Sequence, residues 1–141
     1  MKLWFNLLCR DIEAQKAFYA ALLGWPEAVH SRSPIYRALE HDGVQFGFNA
    51  MEAYELLGLA GRAPEADGAP SPVTAYATFM LEDPGNVDAA AASAIELGGS
   101  VVKAPYPTYY GHWQAVLSDP EGHVFRVSCE WLRTEDREDP G

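Results

Sequence analysis

Leu3 to Cys9 is a short apolar run whose alternation sorts Phe5, Leu7 and Cys9 to one side and Trp4, Asn6 and Leu8 to the other, which predicts a strand. Asp11 follows as a helix N-cap. Ile12, Tyr19, Leu22 and Leu23 then share one stripe at helical spacing, with Phe18 on its border. Gly24 ends this helix, at a position where only a residue without Cβ takes up the left-handed conformation cheaply. A strand is expected around Trp25 to Ser31. Two more, Ile35 to Glu40 and Val44 to Asn49, are joined by His41-Asp42-Gly43, whose Asp-Gly is a hairpin signal.

The pattern then breaks and begins again. Ala60 to Pro72 is rich in Gly, Pro, Ala and acidic residues and reads as a connection. Val73 to Leu81 predicts a strand, and Asp83 or Asn86 caps a helix through Val87, Ala91, Ala94 and Ile95 that Gly98-Gly99 ends. Ser100 to Lys103 is extended, Tyr106 to Tyr110 an aromatic loop, and Trp113 to Ser118 and Val124 to Trp131 are strands either side of Asp119-Pro120-Glu121-Gly122. Each half is strand, helix and three strands, so the chain reads as an α+β protein of two βαβββ modules forming a curved, partly open mixed sheet with a central cleft. The modules span about residues 1–58 and 73–132, with a linker at 59–72 and a charged tail at 133–141. By the same period of two, Val124, Arg126 and Ser128 face the cleft while Phe125, Val127 and Cys129 face the core.

Composition narrows the function. The 141 residues carry 20 acidic against 10 basic side chains, a formal net charge of −10, and 48% are hydrophobic. A folded chain of this size buries about 70% of its unfolded surface, enough for a core without disulfides or a structural metal. The acidic balance argues against nucleic acid and anionic membranes, which are held by Lys and Arg. No apolar run reaches the roughly 18 residues of a membrane span and no signal peptide is evident, so a cytoplasmic protein is expected. Cys9 and Cys129 lie in apolar runs without zinc or redox spacing and read as buried hydrophobes. Neither a Ser-His-Asp spacing nor a phosphate loop or nucleotide fingerprint is present.

Trp4 to Asp11, Ala17-Phe18-Tyr19, Leu23-Gly24-Trp25 and Ser118-Asp119-Pro120-Glu121-Gly122-His123-Val124-Phe125 together resemble the vicinal oxygen chelate superfamily, which includes glyoxalase I, bleomycin-resistance proteins and extradiol dioxygenases. The resemblance runs from about residue 3 to about 131. It implies metal ligands on four strands at positions that fall here on Trp4, Gln45, Tyr76 or Ala77, and Arg126. An indole offers only an N–H, and a guanidinium carries a fixed charge of the wrong sign, so the metal site is expected to be lost and no cofactor is expected.

The candidate ligand-binding residues are Trp4, Asn6, Phe48, Tyr109, Tyr110, His112, Trp113 and Arg126. Arg126 either pairs with an internal acid, reaches solvent along an apolar wall, or orients a carboxylate, phosphate or enolate oxygen of a ligand. The aromatics of the 106–113 loop either stack on a planar ligand or close the barrel end or a dimer interface. His112 is a candidate acid or base, whereas His30, His41 and His123 are expected to be solvated. The reading that follows is a metal-independent binder that sequesters a planar or aromatic small molecule in the cleft, with a homodimer as the expected assembly. The alternatives are a metal-dependent lyase, isomerase or dioxygenase with an atypical site built on Gln45 or His112, or a cofactorless enzyme using His112 and Arg126. The net charge would favour a cationic ligand and Arg126 an anionic one.

Overall fold

Asp11 and Gly24 do what their residue types suggest. The Asp11 carboxylate accepts a 3.0 Å hydrogen bond from the Ala14 N–H, and Gly24 takes φ +71° at the C-terminal end. Between them runs helix α1, Ile12–Leu23, after strand β1, Leu3–Cys9. Strands β2, Tyr36–His41, and β3, Val44–Ala50, are joined by a tight turn in which Asp42 and Gly43 both have positive φ, +47° and +78°, as the right-handed twist of a two-residue hairpin requires. A short helix α2, Ala53–Leu56, follows. A computed structural model of the chain describes residues 1–66 and 69–130.

The chain divides into two compact units, Met1–Ser71 and Pro72–Gly141. In the first, the sheet order is β1-β3-β2, with β1 parallel and β2 antiparallel to β3. One face of this sheet is covered by α1, which buries Ile12, Gln15, Phe18 and Tyr19. Tyr19 is the centre of an aromatic cluster: its ring meets Phe46 edge-on at 4.7 Å and stacks on Phe48 at 5.6 Å. The buried stripe is therefore set by Phe18 and Tyr19, with Leu22 and Leu23 only half-buried. The expected strand over Trp25 to Ser31 is absent. Glu27 makes an isolated bridge to Leu39, and Val29–Ser31 is a 3-10 turn.

That segment is held by charge instead of a ladder. The Glu27 carboxylate takes hydrogen bonds from Arg32 Nε and Nη2 at 2.8 and 2.6 Å and from Lys16 Nζ at 3.2 Å. These contacts, the Arg32 pair above all, lower its pKa to about 2. A carboxyl whose folded pKa is depressed adds stability above its unfolded value, and that stability is lost as pH falls through the folded one. The acid limb of the unfolding curve should therefore steepen between pH 4.5 and 2. Glu27→Gln should flatten that window and lower neutral-pH stability by the same amount, a modest one because Arg32 is half exposed and its pair with Glu27 correspondingly weak. Urea titrations across this pH range check it.

The second unit comprises β4, Ala77–Met80, α3, Pro84–Glu96, β5, Ser100–Pro107, β6, His112–Ser118, and β7, Val124–Glu130, in sheet order β4-β7-β6-β5. Strand β4 starts later than the apolar run suggests. Helix α3 begins on Pro84, with the Asp83 N–H bonded to Asn86 Oδ1 at 3.1 Å. It packs Val87, Ala90, Ala91 and Ala94 towards a core that includes Ala115, Leu117, Phe125 and Val127. Cys9 and Cys129 are buried, one in each unit, and neither is in a disulfide. The Asp119-Pro-Glu-Gly turn owes its shape to the buried Asp119 carboxylate, which accepts from the N–H groups of Glu121 and His123 at 2.9 and 3.1 Å. Trp131 and the tail at 133–141 lie outside the described residues. Among the described residues the fold is thus α+β in two modules whose sheets are not closed, with three strands in the first and four in the second.

Candidate functional site

In the first unit, the face of the sheet turned away from α1 carries a cavity of about 600 Å³ lined by Trp4, Asn6, Leu8, His30, Ser31, Tyr36, Asn49 and Leu57. Its floor is a polar network. Gln45, fully buried, donates through Nε2 to Ser31 Oγ and to the Tyr36 hydroxyl, both at 3.2 Å, and Tyr36 donates to Asn6 Oδ1 at 2.8 Å. Burial pushes the Tyr36 hydroxyl pKa above its ordinary value, so it stays a neutral donor.

In the second unit, the face away from α3 holds a longer network. Arg126 donates through Nε to Thr78 Oγ1 at 2.9 Å and through Nη1 to the Tyr110 hydroxyl at 3.3 Å, and its guanidinium lies 4.9 Å from the Tyr76 ring centroid. Tyr110 donates to Gln114 Oε1 at 2.9 Å, and Gln114 Nε2 donates to the Tyr106 hydroxyl at 2.6 Å. Ser128 Oγ donates to the same Gln114 oxygen at 3.3 Å and lies 3.0 Å from His112 Nδ1. The Tyr110 ring stands edge-on between Tyr109, at 5.1 Å, and His112, at 4.8 Å. Arg126 is half-buried and has no carboxylate partner among the described residues.

Six of the eight expected site residues fall into these two groups: Trp4 and Asn6 in the first unit, and Tyr109, Tyr110, His112 and Arg126 in the second. Phe48 does not line the cavity. It pairs with Leu7 and shares the α1 face with Phe46, where it is fully buried under Tyr19. Trp113 also faces the helix side: it shares parity with Ala115 and Leu117, and its indole N–H donates to Asp88 of α3 at 2.9 Å. His112 stands in strand β6 and not in a loop. His30 is the exposed turn residue expected, in the Val29–Ser31 3-10 turn, and it also lines the first cavity. Tyr36, Asn49, Thr78 and Gln114 were missed, whereas Ser128 was expected on the cleft face and Tyr106 in the aromatic loop without either being named a site residue. Gln114 could have been noticed as a polar break in an apolar strand.

The glyoxalase-like domain family matches the chain over residues 3–128. The chain belongs to this family. Among solved structures, a glyoxalase/bleomycin resistance protein/dioxygenase family enzyme from Burkholderia phytofirmans PsJN is 40% identical, with TM-score 0.82 over 89% of this chain and 95% of its own. A glyoxalase-related enzyme from Fulvimarina pelagi superposes with TM-score 0.75 at 18% identity, over 92% of this chain and 87% of its own. A lactoylglutathione lyase from Agrobacterium tumefaciens does so with TM-score 0.63 at 17% identity, covering 92% of each chain. None of the curated proteins matches. The glyoxalase-like domain thus places the chain in the vicinal oxygen chelate superfamily. No helix among the described residues is long and apolar enough to cross a membrane.

For a glyoxalase-like domain the question of a divalent metal arises, and the donor set does not fit one. Trp4 and Arg126 cannot ligate a cation. The Gln45 amide is buried and engaged by Ser31 and Tyr36. Among the described residues no three His, Cys, Asp or Glu side chains converge.

Proposed function

We propose that the chain is a metal-independent binder of a small planar or aromatic molecule bearing an anionic group, with Arg126 as the anchor. The observation that carries this reading is the half-buried guanidinium held by neutral oxygens and an aromatic face, with no carboxylate among the described residues to balance it. A desolvated cation left without a counter-charge favours an anion. Among the described residues one Nη1 hydrogen and both Nη2 hydrogens have no acceptor, a geometry suited to a two-oxygen acceptor. Tyr76, Tyr109 and Tyr110 supply faces for the ligand's body. The net charge of −10 does not oppose this, since surface charges are screened beyond about 8 Å at physiological ionic strength, whereas Arg126 acts at contact.

Calorimetric titration with benzoate is the test. Wild-type protein should bind it, and Arg126→Gln should weaken binding about 10- to 100-fold, the worth of a hydrogen-bonded charge. Equal affinity in the two proteins, or no binding by the wild type, overturns the reading. So does stoichiometric nickel, zinc, manganese or iron retained by the purified protein.

A further inference from the structure

We infer that the cavity of the first unit binds an uncharged planar ring bearing a carboxamide or lactam edge, gripped by the side-chain amides of Asn6 and Asn49 and covered by Trp4. This site stands on residues of the first unit alone, so it goes beyond the anion reading, which uses only the second.

Its charge selects the class of ligand. Among the described residues no Asp, Glu, Lys or Arg lines the cavity. Burial raises the Tyr36 hydroxyl pKa, so that group is neutral too. His30, the other titratable group on the wall, stands exposed in the Val29–Ser31 turn. A ligand carboxylate or ammonium would lose water here and gain no counter-charge, whereas a neutral polar group recovers its hydrogen bonds. The volume of about 600 Å³ is of the size that takes a small molecule.

Two carboxamides supply those hydrogen bonds. Asn6 pairs with Gly47 and Leu8 with Asn49 across β1 and β3, which makes Asn6 and Asn49 diagonal neighbours on one face. Strand spacing and rise put their backbone positions about 8 Å apart. The Asn6 oxygen accepts from Tyr36, whose hydroxyl accepts in turn from the fully buried Gln45, so Asn6 keeps its nitrogen to donate. The half-buried Asn49 amide makes no hydrogen bond to a described residue and can turn its oxygen to the ligand. One amide is thus held and the other adapts. Together they offer a donor and an acceptor, the complement of a planar edge that carries C=O beside N–H.

Apolar surface lies exposed where the amides are. Trp4 is 52% exposed and Leu57 61%, and both line the cavity. A ring laid on the Trp4 indole removes that surface from water and gains the stacking of two π faces.

Benzamide and benzoate test this, being alike in size and shape and different in charge. In 15N-labelled protein assigned by triple resonance, benzamide should shift the side-chain amide signals of Asn6 and Asn49 and the Trp4 indole signal in a saturable way. Benzoate at the same concentration should leave all three in place. Asn49→Leu should weaken benzamide binding about threefold to tenfold, the worth of a neutral hydrogen bond, and Trp4→Ala at least about fivefold, the worth of a stacked ring. The wild-type shifts are read without any substitution, so the site is tested even where a variant folds poorly. Benzamide that moves none of the three signals, or that binds a folded variant as tightly as the wild type, overturns the site. Equal shifts from benzoate overturn the uncharged class. The Arg126 reading stands or falls separately, on benzoate affinity in Arg126→Gln.

Discussion

Phe48→Ala should lower the free energy of unfolding by about 3–5 kcal/mol, the usual cost of deleting a fully buried phenyl ring. The ring is 0% exposed, stacks on Tyr19 at an interplanar angle of 17° and lies 4.9 Å from Phe46, so two aromatic residues lose a shared partner at once. Phe48 also sits on β3, the central strand of its sheet, where neighbours on both sides resist collapse into the void. Phe48→Leu, which keeps most of the volume, should cost far less. Urea unfolding of the two variants measures the difference. The outcome bears on function as well: if Phe48 lined a ligand cavity, Phe48→Ala would change benzoate affinity at nearly unchanged stability, and the structure requires the opposite.

Phe48 also shows how far one-dimensional reading reaches. Strand alternation separated Phe5, Leu7 and Cys9 from Trp4, Asn6 and Leu8, and the cavity is indeed lined by the second set. The same rule carried across the ladder would have placed Phe48 correctly, since it pairs with Leu7. It was assigned to the ligand because aromatic residues suggest stacking, and parity outweighs residue type. Trp113 fails for the same reason beside Ala115 and Leu117. Local signals with a steric cause were legible: Asp11, Gly24, the Asp42-Gly43 turn and the Asp119 turn. The Arg126 partners were not, because Thr78 is 48 residues away and meets Arg126 only through the parallel register of β4 and β7. No period within either strand encodes that offset.

Gly47→Ala should destabilise the protein by about 2–5 kcal/mol, combining the cost of overpacking with that of leaving one of the two buried Gln45 amide hydrogens without its Tyr36 acceptor. A Cβ at Gly47 would come within 2.0 Å of the Tyr36 hydroxyl and 2.2 Å of Asn6 Oδ1. Relief requires the Tyr36 ring to swing away, which breaks both its bond to Asn6 and its bond from the fully buried Gln45. Removing the ring should therefore relieve the variant: Gly47→Ala combined with Tyr36→Ala, which takes away both the hydroxyl and the ring carbon 2.5 Å from that Cβ, should be less destabilised than the sum of the two single changes, and a cycle that sums additively refutes the argument. The register explains why glycine stands here. Asn6 pairs with Gly47 across β1 and β3, as Thr78 pairs with Arg126 across β4 and β7, and Asn6 and Thr78 stand at the same distance before their capping Asp11 and Asp83. At equivalent points of the repeat, one module has no side chain and fills the space with a tyrosine hydroxyl, while the other places a guanidinium there. Divergence at this single register position makes the first site neutral and the second cationic, so the proposed anion anchor has a counterpart in one module alone.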